Sequence, residues 1–481
     1  MEQDDFPYKD YSIEGEQILT RASSAQATQN NQLTCLFDST ENFPAWKKAL
    51  SEATESILIE MYIFSDNTFG QEIRQILIDK AKSGLCVILI YDWIGSLKAH
   101  YCGFFKPLLQ AGAIVKAYNK ITFTSGLGLL ARNHRKQIII DRKEVFISGL
   151  CISSQWEGKP HKGILPWRDT GVKTSGPVIT QAIKAFEDTL RQENIITPAI
   201  LDEPLPPFSN GDVITRLVAS APDNGNMIRL DLFLISMAQK TLWITDAYFM
   251  ATGIYITLLK NAARDGVDVR LLVPKTSDIG WIGAVSRTQY KTLLQSGVRV
   301  FEWNGSMIHA KTCVIDSLWV KIGSSNLNLS SWFANRELDV TIQNAKIGQQ
   351  MSQKFLEDLE YATEVVLNKH DSAQLKTGRP KQKKPAQAKA QGVAQQALRL
   401  SEWLKVERTR TIGKPENMAI LGFGFLFITL ALILIFFPRI IAYPLAFMLV
   451  VSGTIMLSNA TVELKKIKTL KEQEKQQKSN D

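Results

Sequence analysis

Cysteine is scarce and unpatterned in this 481-residue chain: Cys35, Cys86, Cys102, Cys151 and Cys313 form no CxxC pair and no partner-like spacing. That excludes a zinc ribbon and a disulfide framework and fits a reducing compartment. The N-terminus MEQDDFPYKDYSIEGEQ carries early acids and lacks the basic-then-apolar order of a secretory signal, so nothing there directs export. Compositional disorder is absent too, since 45% hydrophobic and 21% charged residues leave ample material to bury. The length exceeds one compact core, so two or more units are expected. Histidine is as rare as cysteine, with five in the chain, which gives weight to any that recurs at a fixed spacing.

Charge is what the chain has in excess. The net +9 points to an anionic partner, lipid or nucleic acid. The excess is concentrated in the last quarter, beside the most apolar stretch, which favours a membrane surface over a nucleic-acid groove. Met418 to Phe437 carries no charge and is long enough to cross a bilayer; Pro438 and Arg439 interrupt it, and Ile440 to Leu457 is a second apolar span. Arg408, Arg410 and Lys414 precede this hairpin and Lys465, Lys466, Lys468 and Lys471 follow it, so the positive-inside rule places both flanks in the cytoplasm. ALRLSEWLKVERTR, just before, reads as a helix at the membrane interface or one docked on the body.

Ahead of these segments an α/β unit occurs twice. Helix-like ENFPAWKKALSEATES, strand-like SILIEMYIF, helix GQEIRQILIDKAKSG and strand CVILIYDW return as IRLDLFLISMAQK, TLWITDAYF, IYITLLKNAARDG and VDVRLLVP. Strands alternating with helices imply parallel strands covered on both faces. We expect a mobile leader over residues 1–31, a first half over 32–196, a connector over 197–211 and a second half over 212–369. Beyond them we expect a basic flexible linker over 370–397, an amphipathic interfacial helix over 398–415, the transmembrane hairpin over 416–459 and a basic cytoplasmic tail over 460–481.

Each half carries one HxKxxxxD motif: HRKQIIID with His134, Lys136 and Asp141, and HAKTCVID with His309, Lys311 and Asp316. One random match is expected in about one such sequence in fifty, and two in register far less often. In extended chain, residues two apart share a face, so each His and Lys converge on one ligand. Two imidazoles and two ammonium groups then surround an anion: one imidazole attacks phosphorus, the other protonates the leaving alcohol, and the lysines offset charge on the non-bridging oxygens. Asp141 and Asp316 lie at an odd offset, face away, and are expected to fix the turn after each strand. Asp169 in WRDTG and Glu337 in NRELD are the better carboxylates for orienting the imidazoles; which serves which histidine is left open. Ser324 and Asn326 in GSSN are candidate phosphate-binding groups. His100, His161 and His370 lack the spacing, Tyr62, Phe64, Tyr248 and Phe249 read as packing at strand ends, and Cys151 and Cys313 as inert hydrophobes.

The paired HxKxxxxD motifs, WRD at Trp167 to Asp169, GSSN at Gly323 to Asn326 and NRE at Asn335 to Glu337 resemble the phospholipase D superfamily, and AARDGVDVRLLVP and SMIHAKTCVID look most like the cardiolipin synthases. The resemblance covers about Leu33 to Leu367. It implies two tandem phospholipase D-like βαβ repeats forming one pseudo-two-fold catalytic body, joined here to a C-terminal transmembrane hairpin. It also implies a metal-independent, cofactor-free phosphatidyl transfer through a phosphohistidine, with phosphatidylglycerol as donor and acceptor. A hydrolytic phospholipase D and a membrane-anchored nuclease are the rivals. The expected partners are a phospholipid substrate and the bilayer, reached through the hairpin and its basic flanks on the cytoplasmic side of the inner membrane; nucleic acid is disfavoured and the oligomeric state is open. In the first half Ser148, Gly149, Leu150 and Cys151 stand where the family shows a Gly-Gly-x-Asn turn. We bet on His134 as nucleophile and His309 as acid.

Overall fold

The computed structural model describes residues 13–120, 131–208, 211–222, 224–367 and 409–411. The first half is built from α1 (Ile13–Ser23), β1 (Thr28–Phe37), α2 (Asp38–Glu52), β2 (Ser56–Met61), α3 (Thr68–Lys82), β3 (Cys86–Asp92), the short helices α4 (Leu97–Tyr101) and α5 (Lys106–Gln110), β4 (Ile114–Tyr118), β5 (Gln137–Ile140), β6 (Glu144–Ser148), β7 (Thr170–Ser175) and α6 (Ile179–Gln192). The second contains β8 (Val213–Ala219), α7 (Asn226–Met237), β9 (Thr241–Thr245), α8 (Gly253–Arg264), β10 (Asp268–Pro274), α9 (Gly280–Gln295), β11 (Arg299–Trp303), β12 (Thr312–Ile315), β13 (Trp319–Gly323), β14 (Leu338–Gln343), α10 (Ala345–Glu360) and β15 (Ala362–Val366), with β16 (Thr409–Thr411) added in parallel to β15.

Sixteen described strands form one sheet in the order β16-β15-β11-β10-β9-β12-β13-β14-β8-β1-β7-β6-β5-β2-β3-β4. Read outward from the β8–β1 seam, each half repeats one order, with β7 matching β14, β5 matching β12, β2 matching β9 and β3 matching β10. The duplication is thus a local two-fold. Within each half the parallel strands lie on the side of the sheet away from the seam: β2 pairs with β3 and β9 with β10 in parallel, while β5 and β12 run antiparallel to β2 and β9. That places the start of each motif strand beside the carboxyl ends of its parallel neighbours.

Period-two alternation decides where side chains go. Ile57 and Ile59 enter a core with Phe43, Trp46 and Leu50. Leu58 points oppositely, into a core shared by both halves, where Val145, Ile147 and Val172 meet Val320, Ile322 and Val340. Strands buried on both faces explain the unbroken apolar runs. The common core also means that neither half buries its inner face alone.

Two expectations are corrected. The leader over residues 1–31 is not free chain throughout: α1 packs on α7, with Leu19 1% exposed in the second-half core and Glu16 paired with Arg216, and β1 already begins at Thr28. Its polar composition reflects a surface helix that commits a narrow face to the core. The helix over 398–415 fails at 409–411, which are extended along an open sheet edge that supplies backbone partners. Among the described residues no helix is long and apolar enough to cross a membrane. The linker (370–397), hairpin (416–459), tail (460–481) and His370 lie outside the described residues.

Candidate active site

Each histidine sits just before its motif strand, in a short segment that pairs with the carboxylate loop of the opposite half. The His134 N–H donates to Arg336 O at 2.9 Å and Arg336 N–H to Arg132 O; the His309 N–H donates to Arg168 O at 2.7 Å and Arg168 N–H to Met307 O. The carboxylates are therefore crossed. His134 Nδ1 stands 2.8 Å from Glu337 Oε2, and His309 Nδ1 stands 2.8 Å from Asp169 Oδ2. Arginines pin the crossing in both directions: Arg168 donates to Asp358 of the second half, Arg336 to Asp188 of the first, and buried Arg135 to the carbonyls of Ala185, Ser220 and Glu337.

The carboxylates are themselves held. Trp156 Nε1 donates to Asp169 Oδ2 at 2.9 Å and the Thr170 amide to Oδ1. Ser324 and Ser331 each donate to Glu337 at 2.6 Å, and Asn335 adds a third donor. Ser324 accordingly needs a correction: its hydroxyl also accepts from the Leu338 amide, so it supports Glu337 instead of facing a phosphate. Asn326 is different. Its side-chain oxygen is buried with no partner among the described residues, which leaves an acceptor available to a ligand hydroxyl. Gly149 is required by Asp169, because an added Cβ would meet the carboxylate at 2.2 Å.

Lys136 folds its ammonium onto His134 O at 2.7 Å, and Lys311 stands 2.9 Å from both ring nitrogens of His309. His134 Nε2 has no hydrogen bond to the described residues. Burial pushes the His134 imidazole below its ordinary value against the pull of Glu337, and burial together with Lys311 pushes His309 down to about 3. Lysine from the far half disfavours charge on each ring, so both imidazoles share one electrostatic site. Burial lowers Lys136 and takes Lys311 to about 8, with Asp169 the foremost charge holding the latter up. Burial alone would raise Asp169 and Glu337, but the partner histidines and lysines outweigh it and keep both carboxyls low. Imidazoles pushed down by burial, beside two lysines and two paired carboxylates, are poised for an anionic ester: the anion supplies the charge that lets one ring carry a proton.

Asp141 and Asp316 stand elsewhere. Each begins a hairpin turn with two consecutive left-handed residues, Asp141–Arg142 and Asp316–Ser317, as in type I′. Their carboxylates reach sideways to the neighbouring strand: Asp141 accepts from the amides of Thr54, Glu55 and Ser56, and Asp316 from those of Gln239, Lys240 and Thr241. Burial favours the neutral Asp141 carboxyl, but those amides outweigh it and hold the group below the usual range. Asp141→Ala or Asp316→Ala is expected to cost about 2–4 kcal/mol of stability by orphaning amides. Turnover per folded molecule should stay within about threefold, checked by thermal melts beside active-site-normalised rates.

Several site residues escaped the sequence reading. Tyr62 lies 4.8 Å from the His134 ring and Tyr248 5.8 Å from His309, each facing the lysine of its half, and Trp156 and Trp167 complete the wall around His309. Asp246 accepts from the Tyr248 and Leu327 amides and is raised by burial to about 6. Register could have found it, since Asp246 answers to buried Met61 in the other half. Cys151 matches Asn326; it is fully buried, and burial raises its thiol while Lys136 opposes. His161 is exposed, and His100 bonds Tyr91 Oη at 2.7 Å, apart from both motifs. No metal-holding cluster of His, Cys, Asp or Glu occurs among the described residues.

Fold and site together define a two-lobed enzyme of the phospholipase D type. The family model described as cardiolipin synthase, PLD-like domain, matches residues 46–155 and 232–359, one stretch in each half. A cardiolipin synthase of Halalkalibacterium halodurans is 34% identical over 338 residues, 69% of this chain and 66% of that protein. One of Geobacillus sp. (strain WCH70) is 30% identical over 73% of this chain and 70% of its own length, and cardiolipin synthase A of Pseudomonas putida is 30% identical over 72% of each. The chain thus spans about two thirds of the length of its relatives. Phosphatidylserine synthase of Haemophilus influenzae Rd KW20 shares the fold, with a TM-score of 0.56 at 17% identity over 74% of this chain and 93% of its own. The chain belongs to the cardiolipin synthase family of phosphatidyl-transferring enzymes.

Proposed function

We propose that this protein exchanges the headgroup alcohol of a membrane phospholipid, with phosphatidylglycerol as donor and acceptor and cardiolipin and glycerol as products. The observation that carries the reading is the crossed pair of His–carboxylate dyads flanked by two lysines in one buried site. His134 Nε2, which has no hydrogen bond to the described residues, attacks phosphorus; the bond to the glycerol oxygen breaks and His309 supplies its proton. The second phosphatidylglycerol then gives its hydroxyl proton to His309 while its oxygen displaces His134. Each step conserves charge on the lipid phosphate, which Lys136 and Lys311 offset, with the Asn326 side-chain NH2 as a hydrogen-bond donor to a non-bridging oxygen. No metal or cofactor enters this route.

The apolar spans over 416–459, with basic residues on both sides, support a membrane hairpin that keeps the body and C-terminus on the cytoplasmic face of the inner membrane. Incubation with phosphatidylglycerol carrying radioactive phosphorus, quenching and mapping by mass spectrometry is the test. A phosphatidyl adduct on His134 and cardiolipin among the lipid products are expected. Phosphatidic acid as the sole product would replace transfer by hydrolysis, and an adduct on His309 would reverse the roles.

A further inference from the structure

Two loops outside the catalytic inventory, each taken with the helical residues it runs into (α4 and the start of α9), occupy equivalent places in the duplication. β2 pairs Ile57 with Val87 of β3, and β9 pairs Leu242 with Val269 of β10, so the chain leaving β3 at Asp92 answers to the chain leaving β10 at Pro274. A two-fold operation preserves height along its axis. The two loops therefore stand at one level on opposite sides of the paired histidines. Each is tied to the tyrosine over its own histidine: Ser96 Oγ donates to Tyr62 O, and Tyr248 Oη donates to Asp278 Oδ1 at 2.8 Å.

Both loops point large apolar side chains at solvent. Tyr101 is 70% and Trp281 53% exposed, and Ile94, Leu97 and Ile279 are exposed beside them. Exposed Lys98 lies within the first loop and exposed Lys275 opens the second, while the acid Asp278 is engaged by Tyr248 and Ser277. Single exposed hydrophobes need no explanation, but clusters at two symmetry-related positions beside a site do. Aromatic and aliphatic side chains interleaved with lysine suit the boundary of an anionic bilayer, where rings seat at headgroup level and ammonium groups meet phosphate. A protein bound across both loops would cover the approach to the site.

We propose that the loops Ile94–Tyr101 and Ser277–Trp281 form an interfacial lip that seats the active-site mouth on a bilayer containing anionic phospholipid, as a contact separate from the hairpin. This rests on the phospholipid reading above. The lip orients the catalytic body so that a diacyl substrate slides into the site without leaving the bilayer for water.

The test uses the full chain in phosphatidylglycerol vesicles and, separately, with a short-chain phosphatidylglycerol below its micellar concentration. Tyr101→Asp with Trp281→Asp should lower vesicle turnover by about tenfold or more and leave the monomeric ester within about twofold. Tyr101→Phe with Trp281→Phe should match the parent on both. Lys98→Glu with Lys275→Glu, at exposed positions with little effect on folding, should flatten the dependence of rate on the anionic-lipid fraction. Unchanged vesicle turnover in both charged pairs overturns the lip, as does an equal loss on both esters with an unaltered thermal transition. Should the parent turn over neither ester, the phosphodiester reading falls instead. The lip is then judged by quenching of tryptophan emission by acyl-brominated lipid: Trp281→Phe must reduce it, and undiminished quenching refutes docking at Trp281.

Discussion

His134→Ala is expected to eliminate the covalent adduct and to reduce turnover by about 10⁴-fold or more, because of the two motif histidines His134 is the one whose Nε2 has no hydrogen bond to the described residues, while Lys311 stands against both ring nitrogens of His309. His309→Ala should lose a similar amount on phosphatidylglycerol yet behave differently toward an activated ester. A nitrophenolate departs without a proton, so the first step survives; the second still needs a base for the incoming alcohol, so the adduct accumulates. A burst of nitrophenol equal to the enzyme concentration in His309→Ala, with none in His134→Ala, assigns the two roles. Bursts in the opposite order exchange them. Restored membrane lipid composition in cells by His309→Ala would show that the protein acts as a scaffold.

Asp169→Asn carries the second large effect, about 10²–10⁴-fold at neutral pH. The carboxylate fixes the His309 tautomer and stabilises its charged form, and an amide of equal size retains shape without charge. The variant acts on the histidine of the opposite half, 140 residues away, so it should mimic His309→Ala in accumulating adduct from the activated ester. Its pH profile is a further signature. The Lys311 ammonium, pushed to about 8 by burial, is held up by Asp169 and Asp246 and pressed down by Lys136. Removing the Asp169 charge lowers it again, so activity should be lost as pH rises through a value below about 8. A merely structural defect lowers the rate equally at all pH values. Glu337→Gln should act correspondingly on His134 and slow adduct formation itself.

Why the leader and Ser324 were misread is physical. Residues 13–31 look polar because α1 needs few apolar contacts to dock, and a single Leu19 side chain gives weak periodicity. Ser324 was placed by its loop type, but its hydroxyl answers to Glu337, which lies 13 residues on and returns beside it only through the β13–β14 pairing. Asp141 and Asp316, in contrast, were legible as groups turned from the site, since strand parity is a local rule. The neighbour they bind was not, because Thr54 and Lys240 lie 87 and 76 residues away. Tyr62 and Tyr248 read as packing residues, and only the antiparallel approach of β5 and β12 brings them over the histidine rings.

The amino-acid order alone determined the duplication, the two His–Lys pairs and the class of chemistry, because each depends on spacings of a few residues along one extended segment. Tertiary structure decided the crossing of carboxylates between halves, the burial that pushes both imidazoles below their ordinary values, the Asn326 side-chain oxygen left without a partner among the described residues and the matched apolar loops beside the mouth. Those features arise where segments far apart in the chain meet across a shared core, and contacts of that kind leave no periodic trace in either segment.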